Sequence, residues 1–168
     1  MSSQMPSHAA MVRKETFANT VATAVIAAVL SWAIFRGKTS IVALAPPIGG
    51  IFGVLPGTFN FTLLVTLALT MITRRRVSAG VYRRLGAGEG AHLGARLPAN
   101  IILRALTLAA LATVVFVPVG AGLVWGATRI GALPVAWSFA GMLLYFVVYF
   151  SALSMAVTPP ILWRALRD

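Results

Sequence analysis

A row of threonines is the clearest polar pattern in the sequence. Four threonines are spaced by four, four and three residues, which places their hydroxyls on one face of a helix. In a membrane helix, threonine can return its hydroxyl to a carbonyl of its own helix and present its methyl group to a neighbouring helix. The pattern therefore favours helix packing, and a hydrated path or ligand groove lined by the hydroxyls is the alternative. The row consists of Thr62, Thr66, Thr70 and Thr73.

Arg104 is a basic residue that the sequence places inside the third predicted helix. If that helix starts near Ala99, Arg104 lies about a turn and a half inside it. The simplest expectation is that its side chain snorkels to the headgroups, and a lipid phosphate or anionic ligand site shared with Asn100 is the alternative. Because no acidic residue lies in any apolar window, we expect neither an ion pair inside the membrane nor a carboxylate relay for protons.

The central segment RRRVSAGVYRRLGAGEGAHLGARLP is rich in arginine. Val77, Val81 and Leu85 have helical spacing and alternate with arginines, which predicts an interfacial helix on anionic headgroups. The glycines that follow have no preceding strand and no Walker lysine, so they indicate a linker and not a phosphate-binding loop. The predicted contacts with anionic lipid are Arg74, Arg75, Arg76, Arg83, Arg84 and Arg104.

Groups that could catalyse a reaction or hold a cofactor are few. Glu15, Glu89 and Asp168 are the three carboxylates, and all lie outside the apolar windows. The chain has no cysteine, and its two histidines, His8 and His92, lie in a tail and a loop. We therefore expect no enzymatic activity, no cofactor and no metal site.

The composition is that of an integral membrane protein, because 59% of the residues are hydrophobic and only 10% are charged. The net charge of +11 comes from arginines between apolar runs, so it predicts topology and not nucleic-acid binding. A single span needs roughly 20 residues. The four charge-free windows therefore predict four helices and an all-α fold. The windows are Thr16–Phe35, Thr39–Thr73, Ala105–Thr128 and Ile130–Trp163, and the predicted helices are 17–36, 57–76, 99–125 and 135–158.

Prolines set the predicted helix ends. The stretch SIVALAPPIGGIFGVLPGTFNF contains Pro46–Pro47, which cannot lie inside a helix without losing backbone donors. We therefore predict an apolar external loop at 37–56 and a helix that begins after Leu55–Pro56. The last helix is predicted to begin after Leu133–Pro134 and to stop at Pro159–Pro160, before a short interfacial segment. Pro118 could kink or end the third helix.

The two halves of the chain resemble each other. Residues 17–35 align with 98–116, and Leu-Pro precedes the second helix of each half, which predicts a tandem repeat of a two-helix unit. With the amino terminus inside, eleven of the 14 basic residues lie on the inner side, so both termini are predicted to face the cytoplasm. The predicted parts are a tail (1–15), a first unit (16–76), a basic linker (77–98), a second unit (99–160) and a second tail (161–168).

The segments TMITRRRVSAG and TPPILWRAL, which close the two helix pairs, resemble those of uncharacterised small bacterial inner-membrane proteins described as permease-like. The resemblance implies a four-helix protein of the bacterial inner membrane and transfers no functional residue. A bias toward Ala, Arg and Gly is also typical of bacteria with GC-rich coding.

Three functions are compatible with these features. The favoured one is a non-catalytic accessory or scaffold subunit, which packs through small-residue helix faces against lipids and against another membrane subunit or a copy of itself. The alternative is a small transporter or channel component for a neutral or lipophilic solute, with the threonine row lining a path in an oligomer. The third is a lipid-binding organiser that acts through the arginine-rich segment.

Overall fold

This computed structural model describes residues 7–38, 41–42, 54–86 and 97–168. The predictions for Pro46–Pro47 and the neighbouring glycines, and for the glycine-rich part of the central segment, concern residues 43–53 and 87–96. These predictions lie outside the described residues.

The prediction of four long apolar helices is confirmed. All four are long and apolar enough to cross a membrane, so the chain has the architecture of a multi-pass membrane protein. The helices are α1 (His8–Phe35), α2 (Val54–Ser78), α3 (Ile101–Arg129) and α4 (Phe139–Ala165), and two short strands are β1 (Ile41–Val42) and β2 (Ala136–Trp137).

Polar caps begin three of the helices. Ser7 accepts a hydrogen bond from the backbone N–H of Ala10, which starts α1 well before the predicted residue 17. Asn100 accepts from two backbone N–H groups at the start of α3, and Ser138 accepts from Gly141 at the start of α4. Leu133–Pro134 therefore does not adjoin α4, because β2 and the Ser138 cap follow it.

Prolines end fewer helices than predicted. Pro56 lies in the first turn of α2, where the missing N–H has no helical partner to lose. Helix α3 continues through Pro118 to Arg129, and α4 continues through Pro159–Pro160 to Ala165. The predicted stop at Pro159–Pro160 is therefore wrong. Ile161, Leu162 and Ala165 are buried beyond Pro159–Pro160, and this packing outweighs a cost of about 3 kcal/mol per interior proline. Beyond Pro118, Val124 is buried in the same way.

The predicted interfacial helix around Val77 to Leu85 is also wrong. Helix α2 continues to Ser78 and then turns at Gly80, whose φ of 72° is a conformation that suits glycine. The backbone N–H of Leu85 donates to the carbonyl of Leu166 at 3.0 Å, and the Leu85 side chain is buried. This segment therefore packs on the end of α4.

The helices pack in pairs. Helix α1 lies along α4, α2 lies along α3, and α2 also contacts α4. One end of the bundle, here the charged end, combines the start of α1 and of α3 with the end of α2 and of α4. The opposite end, here the aromatic end, contains β1 paired with β2 and a set of eight rings. The rings are Phe35, Phe61, Phe116, Trp137, Tyr145, Phe146, Tyr149 and Phe150.

Candidate functional site

The predicted threonine row lies in the interior of the bundle. Thr62, Thr66 and Thr70 are 0% exposed and Thr73 is 3% exposed. Thr58 extends the row by one more step of four residues and is equally buried, although the sequence analysis did not include it. Its hydroxyl lies 2.8 Å from the hydroxyl of Tyr149 on α4.

The hydroxyls of this row do not form a continuous polar line. Thr66 donates to the carbonyl of Thr62 within α2 at 2.7 Å, and Thr58 donates in the same way to Val54. The hydroxyls of Thr62 and Thr70 are buried and have no hydrogen-bond partner among the residues that the structure describes. The row lines none of the three cavities described in this chain. Burial away from these cavities is the placement expected for a threonine row that serves helix packing.

A second polar cluster joins α1 to α4, and the sequence analysis missed it. The Asn19 amide nitrogen donates to Ser154 and to Thr158, at 2.9 Å in each case. Thr23 donates to the carbonyl of Asn19 at 2.7 Å. Ser154 and Thr158 are fully buried. The spacing of Ser154 and Thr158, four residues apart on α4, was the available signal.

Arg104 does not snorkel. Its side chain is fully buried, and its Nη2 donates to Oδ2 of Asp168 at 2.6 Å. The expectation that Arg104 would have no internal ion pair is therefore wrong. The acid comes from beyond the end of α4, where Asp168 folds back against the start of α3. Asn100 is occupied as the cap of α3 and does not share a site with Arg104.

Four arginines surround Asp168. Arg74 donates to the same Oδ2 at 2.7 Å, and Nε of Arg164 lies 3.5 Å from Oδ1. Arg84 donates to the backbone carbonyl of Asp168. Burial alone would raise the pKa of Asp168, but hydrogen bonds and charge from Arg104 and Arg74 outweigh it and hold this pKa below its ordinary value. Asp168 therefore stays ionised and connects three helices.

Arg76 belongs to a second ion pair at the charged end. Its Nη1 donates to Glu15 on α1, and the hydroxyl of Tyr82 donates to the same carboxylate at 2.6 Å. Burial, followed by the hydrogen bond to Glu15, raises the pKa of Tyr82. Arg75 is exposed in the last turn of α2. The carbonyl of Arg83 lies within hydrogen-bond distance of His8, at 3.0 Å.

Most of the arginines that were predicted to contact lipid have ion-pair or hydrogen-bond partners within this chain. Arg74, Arg76 and Arg104 pair with carboxylates of this chain, and Arg84 bonds the carboxyl-terminal segment at residues 167 and 168. The structure brings them to one end of the bundle, as the sequence predicts. Their contact with anionic lipid stays a prediction.

An apolar groove lies between α1 and α2, with α4 as its floor. Its volume is about 420 Å³. Three polar side chains line it, Thr23 and Ser31 from α1 and Asn60 from α2. Ser31 is 0% exposed, and among the described residues its hydroxyl has no hydrogen-bond partner. The side-chain amide of the exposed Asn60 makes no hydrogen bond with any described residue. The other lining residues are Ile26, Ala27, Leu30, Ile34, Gly57, Phe61, Leu64, Val65, Phe146 and Phe150.

A second groove, of about 590 Å³, lies between α1 and α4 near the charged end. Arg13, Thr20 and Trp163 line it together with apolar residues. Thr16 also lines it, and its hydroxyl is buried without a partner.

The described residues contain no group of three or more His, Cys, Asp or Glu side chains that could hold a metal ion. No known family, no curated protein and no solved structure matches this chain. The resemblance to permease-like proteins is therefore not supported by any of these comparisons.

Proposed function

We propose that this chain is a non-catalytic accessory or scaffold subunit of a bacterial inner membrane. The observation that carries the proposal is the burial of the small-residue faces inside the chain itself. The threonine row of α2 and the alanines of α3 at positions 105, 109 and 112 are almost completely buried. A bundle whose interior is filled in this way offers its outer surface to other molecules.

This geometry changes which faces would contact a partner. The sequence analysis assigned partner contact to the small-residue faces, but these are used within the chain. The surfaces left for a second subunit are the outer faces of α1 and α3, where Val25 is 58% exposed and Val114 is 70% exposed. Membrane lipid covers whatever part of these faces a partner leaves open.

The orientation and the repeat belong to the same proposal. The charged end carries most of the basic residues, whereas Arg36, Lys38 and Arg129 lie at the aromatic end, so the charged end would face the cytoplasm. Exchanging the first helix pair for the second converts the α1–α4 contact into the α3–α2 contact, and both are extensive. This symmetry supports a tandem two-helix repeat about an axis along the membrane normal.

The proposal is tested by photo-crosslinking in the native host, followed by native mass spectrometry of the complex in a mild detergent. A photoreactive residue is placed at position 25 or at position 114, and a third is placed at the exposed Val148 of α4 for comparison. A stoichiometric foreign subunit crosslinked from one outer face supports the accessory function. Crosslinks to lipid alone from all three positions, together with a bare monomer, contradict it.

A second candidate is a carrier for a lipophilic solute, and the groove between α1 and α2 favours it. In this case the chain would act as an oligomer, and the same crosslinks would join copies of itself. The variant with Thr62, Thr66 and Thr70 all changed to valine separates the alternatives for the threonine row. Loss of the folded bundle or of its assembly supports packing, whereas loss of solute flux from an intact oligomer supports a path.

A further inference from the structure

The groove between α1 and α2 contains two polar side-chain groups that have no hydrogen-bond partner among the described residues. Ser31 is fully buried, and its hydroxyl has no hydrogen-bond partner in the described part of the chain. Asn60 carries a side-chain amide on the rim of the groove, and this amide also bonds to no described residue. Hydrocarbon cannot satisfy either group, and an unsatisfied polar group there is unfavourable. Two such groups in one cavity indicate that a ligand supplies the missing hydrogen bonds.

The depth of these groups indicates the chemistry of the ligand. Asn60 lies six residues from the start of α2 and Ser31 lies four residues from the end of α1, which are about 9 Å and about 6 Å along the helices. A helix of 25 residues is about 38 Å long, so about 4 Å of α2 extends beyond each side of a core of about 30 Å. Both groups therefore lie just inside the hydrocarbon boundary, beside which the ester carbonyls of a lipid are found.

The lining and the volume of the groove favour a lipid acyl chain as its occupant over a partner helix. Apart from Ser31, Asn60 and Thr23, the groove is lined by apolar side chains and one glycine, and it faces the bilayer between Leu30 and Leu64, which are 55% and 62% exposed. Its volume of about 420 Å³ lies within the range of small-molecule sites. Two turns of a helix about 10 Å wide occupy on the order of 850 Å³. A partner helix would therefore not fit inside it.

We propose that this groove binds one acyl chain of a bilayer glycerolipid, with Asn60 and Ser31 donating hydrogen bonds to its ester carbonyl. The Asn60 amide and the Ser31 hydroxyl are both donors, and an ester carbonyl accepts two hydrogen bonds. The apolar part of the groove then covers the first part of the chain. This site does not depend on whether the protein serves as a subunit or as a carrier.

The test compares an ester lipid with its ether analogue. The delipidated protein is titrated in detergent with a synthetic diacyl phosphatidylcholine, and in parallel with the di-O-alkyl lipid that has the same headgroup and chain length but no carbonyl. Native mass spectrometry measures the dissociation constant of each. The headgroup is zwitterionic and is the same in both lipids, so the arginines contribute equally to both. We expect the ester lipid to bind at least fivefold more tightly, which corresponds to one net hydrogen bond.

Variants assign the difference to the two side chains. Ser31→Ala and Asn60→Leu each remove an unpartnered polar group from apolar surroundings, so both proteins should fold. Each substitution should reduce the preference for the ester lipid, and in the double variant the ratio of the two constants should fall to about one. Ser151→Ala on α4 is the matched control, because Ser151 lines none of the described cavities, and it should retain the full preference.

Three results would overturn the site. The first is equal binding of the ester and ether lipids by the unmodified protein. The second is an ester preference that survives in the double variant. The third is a photo-crosslink from position 60 to a polypeptide of the native host in place of lipid. Thermal unfolding of every variant, followed by circular dichroism, separates a lost site from a lost fold.

Discussion

At the charged end the helices meet through ion pairs, whereas at the aromatic end they meet through ring contacts. Asp168 holds the buried Arg104 and the partly exposed Arg74, which belong to different helices. At the opposite end, most neighbouring rings pack edge to face, as in the pair Phe35 and Phe146 with centroids 5.5 Å apart. In the charged network, loss of one partner leaves another charge unpaired. In the set of rings, each contact is one of several, so loss of one ring leaves other ring contacts in place. The two ends should therefore respond differently to single changes.

The largest effect is expected at the charged end. Asp168→Asn leaves the guanidinium of Arg104 buried without a counter-charge, and breaking a buried pair in this way costs about 3–5 kcal/mol. Unfolding of the purified protein, monitored by circular dichroism, measures the change. Arg75→Gln is the control, because Arg75 is exposed and has no ion pair among the described residues. Equal stabilities of the two variants would show that Asp168 does not anchor this end.

The same pair can be broken by acid. The pKa of Asp168 is lowered from 3.8, so its stabilising contribution is fully present above that value and is lost as the pH falls through the lower pKa of the folded state. A titration of stability below pH 4 should show a loss in the unmodified protein that is smaller in Asp168→Asn. An identical slope in both proteins would contradict this assignment.

A smaller effect, with opposite signs at two neighbouring positions, is expected at the aromatic end. A Cβ on Gly120 would lie 2.9 Å from the ring of Tyr149, whereas a Cβ on Gly122 would meet nothing within 4 Å. Gly120→Ala should therefore destabilise the bundle by about 1–3 kcal/mol through overpacking. Gly122→Ala should stabilise it by up to about 1 kcal/mol through helix propensity. Thermal unfolding of both variants under identical conditions measures the pair.

The smallest effect concerns the threonine row where it reaches the rings. Thr58→Val removes the hydrogen bond to Tyr149 and should cost about 1 kcal/mol. Thr62→Val removes a hydroxyl that has no partner and should leave stability unchanged or slightly raised. Parallel unfolding measurements compare the two. A large loss in Thr62→Val would mean that its hydroxyl has a partner in the membrane.

The sequence predicted the four helices because freedom from charge over a membrane-length window is a local property. The sequence did not predict the residues at which these helices begin and end. Helix α1 starts at His8, in a basic stretch that hydropathy excludes, and α4 continues through Pro159–Pro160 because tertiary packing holds the residues beyond. Helix propensity and proline rules describe an isolated helix, and neither includes contacts made with the rest of the bundle.

The candidate site was predicted less well than the helices. The spacing of threonines on α2 correctly placed them on one face, since that too is local. The pairing of Arg104 with Asp168 joins residues 64 positions apart, and the absence of acids in the apolar windows argued against it. The groove was not predicted, because a cavity between α1 and α2 depends on how both helices pack against α4.

The hydrogen bonds of Asn19 have a consequence for biogenesis. Asn19 and Thr158 are separated by 139 residues, so α1 enters the bilayer long before the helix that satisfies its amide has been synthesised. During that interval an unpaired asparagine lies in α1, which packs mainly on α4 in the finished bundle. Until α4 arrives, water, lipid headgroups or the insertion machinery have to satisfy the Asn19 amide. The order of synthesis makes α4 the element whose insertion completes the fold.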